Sequence, residues 1–322
     1  MNINQIYNLA VKLGIDADPR GSKAVKNQLA IEKKEYLELK KTDKDEFDQD
    51  KLINPYSDTR VLYEESSPKS IKHVLTGIDI DTSELLLAKE ISNNSNKIDL
   101  IISHHPLGSA LHGIHDVVSK MQSEMLADLG IPINISESYI EERTTQLNRT
   151  LSPGNHNRTV DNAKLLGLSL MCTHTIADNL AYQFVKKHVE KSKPSTIQDL
   201  IDCLKNIKEY SIASKIGAGP KIFNGNPKRH CGKITFCELA GGTNGSKNIY
   251  ERMSHAGYAT VVGMHMPEEY LEEAKKAHLN IIIAGHMSSD SLGMNLFLDH
   301  LESNGIKVTS CSGLIRVKRY IK

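Results

Sequence analysis

Short apolar runs alternate with amphipathic stretches along most of this sequence. Residues 70–81 (SIKHVLTGIDID), 82–92 (TSELLLAKEIS) and 97–103 (KIDLIIS) have the patterns of a strand, a helix and a strand. The alternation resumes at residue 233 and includes the apolar runs NIIIA and TVVGM. Such runs are typical of parallel strands covered on both faces, and strand–helix–strand units join parallel pairs. The pattern therefore predicts an α/β protein with mixed, largely parallel sheets.

The chain is long enough for two packed lobes, with 322 residues. We predict two intertwined α/β lobes with a cleft between them. The predicted segments are an N-terminal extension (1–69), a first lobe (70–193), a second lobe (194–280) and a C-terminal return (281–322). Residues 217–232, rich in Gly and Pro, are expected to form a loop or hinge.

The N-terminal extension combines a short amphipathic helix with a densely charged arm at residues 28–52. Mixed charges of this density favour a solvated helix or arm, and a peptide-binding tail is the alternative. The whole chain has 40 Lys and Arg against 39 Asp and Glu, so its charge does not indicate nucleic acid as a partner. Five cysteines without CxxC spacing predict reduced thiols. With no signal-peptide pattern and no long apolar run, we expect a cytoplasmic protein without membrane contact.

Metal-type side chains follow three of the predicted strands. Ligand sites in open α/β sheets form beyond the carboxyl ends of strands, so these positions are candidate ligands. They are His104 and His105 after 97–103, His174 and Asp178 after 168–173, and His286 and Asp290 after 279–284. His174 is the least certain of them and is interpreted as a partner of a ligand or as a core residue.

The spacing of these residues favours two ions over one. His105 precedes Pro106 and is therefore held in an extended conformation, in which neighbouring side chains point apart. Two metals a few ångströms apart can each take one of the two adjacent histidines. His286 and Asp290 are four residues apart, which places them on one face of a helix. Paired ions need a shared ligand, for which a carboxylate of Asp290 or Asp178 is suited. We expect this metal site to lie in the cleft between the two lobes and to be completed by the C-terminal return.

A glycine-rich stretch, GGTNG at residues 241–245, lies between a predicted strand and a predicted helix. It matches neither the P-loop nor the GxGxxG pattern. A tight turn and an anion-binding loop both fit it. Glu238, just before it, is interpreted as a fold contact and not as a ligand.

The motifs LIISHHPL, THTIAD and AGHMSSDS, in that order, resemble the three signature stretches of the dinuclear-metal-centre family. This family is also called Nif-three-like, and some members carry the label GTP cyclohydrolase I type 2 homologue. The resemblance extends through GIDIDTSELLLAKE and covers roughly residues 70–322. It implies two divalent metal ions per chain and a homo-oligomer, specifically a toroidal hexamer. The implied ligands are His104, His105, Asp178, His286 and Asp290.

Two positions depart from the family pattern. The last acidic ligand is usually Glu, and here Asp290 is one methylene shorter. The second motif usually reads His-Thr-Asn-Leu-Asp, whereas HTIAD keeps only its ends and the threonine.

Two classes of function follow from this ligand set. Nitrogen and oxygen ligands suit Zn, Mn, Fe or Co. One interpretation is a metal-dependent hydrolase, cyclohydrolase-like or phosphoesterase-like, that acts on a nucleotide-like or phosphorylated small molecule through metal-bound water. The alternative is a non-catalytic metal-binding regulator or protein-interaction adaptor. The sequence identifies no catalytic residue and does not decide whether the protein is an enzyme.

Overall fold

The computed structural model describes residues 1–65, 70–93 and 96–319. Its strands fall into two sheets. In chain order they are β1 (Thr59–Tyr63), β2 (His73–Gly77), β3 (Leu100–Ser103), β4 (Leu170–Thr173), β5 (Lys221–Asn224), β6 (Lys233–Glu238), β7 (Tyr258–Gly263), β8 (Asn280–Ile283) and β9 (Lys307–Cys311).

Both sheets are mostly parallel, with one antiparallel edge strand each. The first has the order β1-β4-β3-β2-β9, and β1 is antiparallel to β4. The second has the order β5-β8-β7-β6, and β5 is antiparallel to β8. Strand β9 returns to the first sheet after the second is complete, so the two units are intertwined. The predicted fold class, α/β with mixed and largely parallel sheets, is confirmed.

Helices connect and cover the sheets. They are α1 (Ile3–Asp16), α2 (Ser22–Glu38), α3 (Lys41–Glu46), α4 (Thr82–Asn93), α5 (Gly108–Asp128), α6 (Ile133–Leu151), α7 (Arg158–Leu166), α8 (Thr175–Ser192), α9 (Ile197–Lys205), α10 (Lys208–Lys215), α11 (Ile249–His255), α12 (Glu268–Lys276) and α13 (His286–Ser303), with a short 3-10 helix at Gln49–Leu52. In the described part of the chain, no helix has the length and apolarity to cross a membrane.

Helices α8 and α13 join the cores of the two sheets. Ala177 of α8 and Met294 of α13 pack in the core of the first sheet, whereas Ala181 and Leu292 pack in that of the second. The two helices approach closely at Gly293, where a Cβ atom would lie 2.0 Å from the carbonyl oxygen of Ala177. Only glycine fits there without a shift of the backbone. This contact packs the first turn of α8 closely against α13.

Two regions differ from the sequence-based expectation or refine it. Residues 221–224, expected to be loop or hinge, form the edge strand β5, whose side chains alternate in exposure. Strand β1 lies within the predicted extension 1–69 and yet pairs with the first sheet. The segment boundaries themselves stay a prediction, and residues 66–69 and 320–322 lie outside the described residues.

Candidate metal centre

The candidate ligands from all three motifs come together in one cluster. His104 and His105 directly follow β3, and the start of α8 carries the second pair, with His174 as its N-cap and Asp178 in its first turn. His286 is the first residue of α13, one turn before Asp290. The N-cap Gly285 has a φ of 111°, a conformation that glycine adopts without strain. Ring centroids of the histidine pairs 104–105, 104–174 and 105–286 lie 5.2, 5.0 and 5.3 Å apart.

Asp290 is at the centre of this cluster, and its two carboxylate oxygens face different partners. Oδ1 lies 3.6 Å from Nε2 of His104. Oδ2 lies 3.5 Å from Nε2 of His105 and 3.4 Å from Nε2 of His286. Asp178 faces the same histidine as Oδ1 of Asp290, because its own Oδ1 lies 3.6 Å from Nε2 of His104.

These separations suit ligands of a shared ion better than hydrogen bonds. Most N–H···O bonds span about 2.7–3.2 Å between heavy atoms. Two atoms bound to one tetrahedral zinc ion at about 2.0–2.2 Å are about 3.4 Å apart. The distances around Asp290 match the second value.

Several polar atoms of the cluster are buried without a hydrogen-bond partner among the described residues. They are Nε2 of His104, Oδ1 of Asp178 and both carboxylate oxygens of Asp290. Burying such groups unpaired costs free energy, and a cation between them would offset this cost. The donor set therefore fits divalent metal ions.

Three of the histidines are held through their other ring nitrogen. Nδ1 of His104 lies 3.1 Å from the carbonyl oxygen of Thr173. Nδ1 of His105 lies 2.7 Å from Oδ1 of Asp79, and Nδ1 of His174 lies 2.8 Å from a carboxylate oxygen of Asp58. Such bonds fix the ring orientation and tautomer of metal-ligating histidines, leaving Nε2 to face the ion.

Two carboxylates and two imidazoles of the cluster have strongly shifted pKa values. Burial raises the pKa of Asp178 to about 8. Burial also acts to raise the pKa of Asp290. The neighbouring imidazoles, of which His104 has the largest effect, outweigh burial and hold this pKa well below its usual range. Burial lowers the pKa of His286 to about 4. For His105 the carboxylates of Asp290 and Asp79 outweigh burial and raise the pKa to about 9. A metal ion bound here would displace the protons of Asp178 and His105, because metal ligands must be deprotonated.

The sequence analysis did not identify Asp58, Asp79 or His265 as part of this region. Asp79 follows β2, and His265 follows β7 with its ring centroid 4.7 Å from that of His286. The rule that sites follow strand ends would have found both. Asp58 precedes the edge strand β1, so only the antiparallel pairing reveals it.

The glycine-rich loop borders the cluster. Gly242, Thr243 and Asn244 share with Asp178 and Asp290 the lining of a cavity of about 30 Å³. The loop is a tight turn: Gly241 and Gly242 both have positive φ.

Side-chain hydrogen bonds hold this turn. The side-chain amide of Gln122 donates to the backbone carbonyls of Gly241 and Thr243. Glu238 accepts hydrogen bonds from Asn244 and Tyr250, as expected of a fold contact.

Comparison with solved structures places this arrangement in a known fold. The chain is similar to a NIF3 superfamily protein from Sphaerobacter thermophilus, with a TM-score of 0.70 and 29% identity over 80% of this chain and 92% of that one. It also has a distant likeness to reduced HcgD from Methanocaldococcus jannaschii (TM-score 0.47, 13% identity, 78% of this chain and 87% of that one). A third structure is TTHA1606 from Thermus thermophilus (TM-score 0.45, 15% identity, 80% and 89%). No family model and no curated protein matches the chain.

Proposed function

This chain belongs to the NIF3 superfamily, and from that membership and its His/Asp cluster we propose that it holds two divalent metal ions. The observation that carries the proposal is the position of Asp290. Its Oδ1 faces His104, whereas its Oδ2 faces His105 and His286. A carboxylate that presents one oxygen to each of two ligand sets is the natural bridge of a metal pair.

The residues divide into two ligand sets around this bridge. The inner set is His104, Asp178 and Oδ1 of Asp290, all of which are buried. The outer set is His105, His286 and Oδ2 of Asp290, and the His286 side chain is 38% exposed. Their mixed nitrogen and oxygen character favours Zn, Mn, Fe or Co.

We further propose that the protein is a hydrolase of a nucleotide-like or phosphorylated small molecule. When bound, a pair of ions of this kind supplies a water of lowered pKa and stabilises developing negative charge. Asp79 holds His105 in place and also lines a cleft of about 560 Å³, which is the size of a small-molecule site. Arg158 and His156 also line this cleft and offer donors to a phosphate group.

The first experiment is metal analysis of gently purified protein, followed by a hydrolysis panel of nucleotides and phosphoesters. We expect about two ions per chain, as in paired-metal hydrolases. Both His104→Ala and Asp290→Ala should abolish any activity found, whereas His255→Ala, which removes an exposed histidine at the end of α11, should not. Absence of metal after metal-replete preparation would reject the centre. Two bound ions without turnover would favour the non-catalytic regulator or adaptor.

Family resemblance also motivates a proposal about assembly and location. We expect a cytoplasmic homohexamer built from dimers. Sedimentation or light scattering of the metal-loaded protein measures the mass directly. A monomer at micromolar concentration would contradict this proposal without affecting the metal centre.

A further inference from the structure

The carboxylate that holds His174 belongs to Asp58, in the N-terminal segment that the family resemblance does not cover. We propose that Asp58 is a positioning residue of the metal centre and that His174 is a further ligand of the ion held by His104 and Asp178. This inference rests on the proposed two-ion centre. It gives residues 1–69, which pattern analysis treated as an extension, a direct part in the site.

Strand pairing places Asp58 opposite His174. Strand β1 runs antiparallel to β4, with Thr59 opposite Thr173. Asp58 immediately precedes β1, and His174 immediately follows β4. The register is reinforced by the backbone N–H of His174, which donates to Oγ1 of Thr59 over 3.2 Å. An antiparallel edge strand thus delivers a side chain to the end of the sheet where the parallel strands place their ligands.

The contacts of Asp58 determine the tautomer of His174. Oδ2 of Asp58 accepts a hydrogen bond of 2.6 Å from the Thr175 hydroxyl and lies 2.8 Å from Nδ1 of His174. The carboxylate is fully buried. A carboxylate is an acceptor, so the imidazole proton lies on Nδ1 and the lone pair on Nε2.

Nε2 of His174 faces the inner ligand set. It lies 3.9 Å from Oδ2 of Asp178. With His104 and Asp178 it forms a group whose ligand atoms all lie within 4.8 Å of one another. The His104 and His174 ring centroids are 5.0 Å apart. With Oδ1 of Asp290, these three residues would offer the inner ion four protein ligands.

Cobalt titration of the full chain tests this inference, because the visible spectrum of Co²⁺ reports its ligands and chelator competition gives its Kd. Asp58→Asn keeps the shape but permits the amide to donate to Nδ1, which would move the ring proton to Nε2. We expect the inner Co²⁺ to bind about 10–100-fold more weakly, the usual effect of losing such a partner, with an altered absorption band. Asp48→Asn is the matched control, since Asp48 pairs with Arg60 and not with the cluster.

A double-variant comparison separates positioning from a merely structural role. Once His174→Ala has removed the ring, Asp58→Asn should not weaken Co²⁺ binding further. An equal loss with and without His174, or a normal Kd and spectrum in Asp58→Asn, would overturn the inference. If Asp58→Asn does not fold, His174→Gln replaces it, and an unchanged spectrum there would overturn the inference. Wild-type protein that binds no Co²⁺ would instead reject the two-ion centre itself.

Discussion

Two segments of this protein share the pattern His-x-x-x-Asp, one following each sheet. His174 and Asp178 follow β4 of the first sheet, whereas His286 and Asp290 follow β8 of the second. In each pair the carboxylate lies near the start of a long helix, four residues beyond the histidine. Local sequence therefore places the two histidine–aspartate pairs in the same position relative to the preceding strand and the following helix.

Their surroundings make the two carboxylates different. Asp290 faces the imidazoles of three histidines, which keep it ionised. Asp178 is buried near the carboxylates of Asp290 and Asp58, and its pKa is raised. The comparison teaches that tertiary neighbours, and not the motif, decide which aspartate stays ionised and which has a raised pKa.

The largest expected effect tests the proposed roles of the two carboxylates, Asp290 as the bridge and Asp178 as a ligand of the inner ion alone. Asp290→Ala removes an oxygen from both ligand sets, so we expect the metal content to fall from about two ions per chain to nearly none. Asp178→Ala affects only the inner set and should leave about one ion. Elemental analysis after dialysis measures both variants. One retained ion in Asp290→Ala and none in Asp178→Ala would show that Asp178, and not Asp290, is the bridge.

The next effect concerns the helix contact that brings the two segments together. Gly293→Ala places a methyl group against the carbonyl of Ala177, so the backbones must separate. We expect a loss of about 1–3 kcal/mol in the free energy of unfolding, measured by denaturant titration of metal-free protein. Ser303→Ala, at the exposed end of the same helix, should change it by less than about 0.5 kcal/mol. Equal stabilities of the two variants would show that α8 and α13 accommodate the added methyl group without strain.

A smaller effect appears in the pH dependence of metal-free stability. Asp178, with a pKa of about 8, and His105, with a pKa of about 9, both retain protons that the unfolded chain releases. Folded protein then binds more protons than unfolded protein, so stability falls as pH rises.

The fall should be steepest between about pH 6.5 and 8, where both groups hold protons that the unfolded chain has released. Below pH 6.5 the depressed pKa of His286 acts in the opposite direction and offsets Asp178. Denaturation midpoints across this range measure the slope. Asp178→Asn should reduce it, and an unchanged slope in that variant would assign the titration to other groups.

The smallest expected effect restores the residue usual in the family. Asp290→Glu adds one methylene at a position only 1% exposed, so the neighbouring side chains must adjust. We expect both ions to be retained, with a change in affinity of less than about tenfold, or about 1.4 kcal/mol. Competition with a chelator measures it. Loss of both ions, as in Asp290→Ala, would show that the cluster is adapted to the shorter side chain.

Much of this architecture could be predicted from local patterns. The apolar runs predicted a largely parallel α/β fold, which is confirmed, and the motifs predicted membership of the family, also confirmed. The prediction of a loop at residues 221–224 was wrong, because a short edge strand with alternating exposure resembles a polar loop in sequence. The role of the clustered residues as metal ligands stays a prediction.

By itself, the sequence determined which side chains follow which strands, because strand ends, helix starts and the four-residue spacing are local properties. Only the tertiary structure decided that Asp58 meets His174, 116 residues away, since the register of an antiparallel edge strand is not a local property. It also decided the charge states of Asp178 and Asp290, because burial and the distance to neighbouring imidazoles arise only when both sheets are assembled.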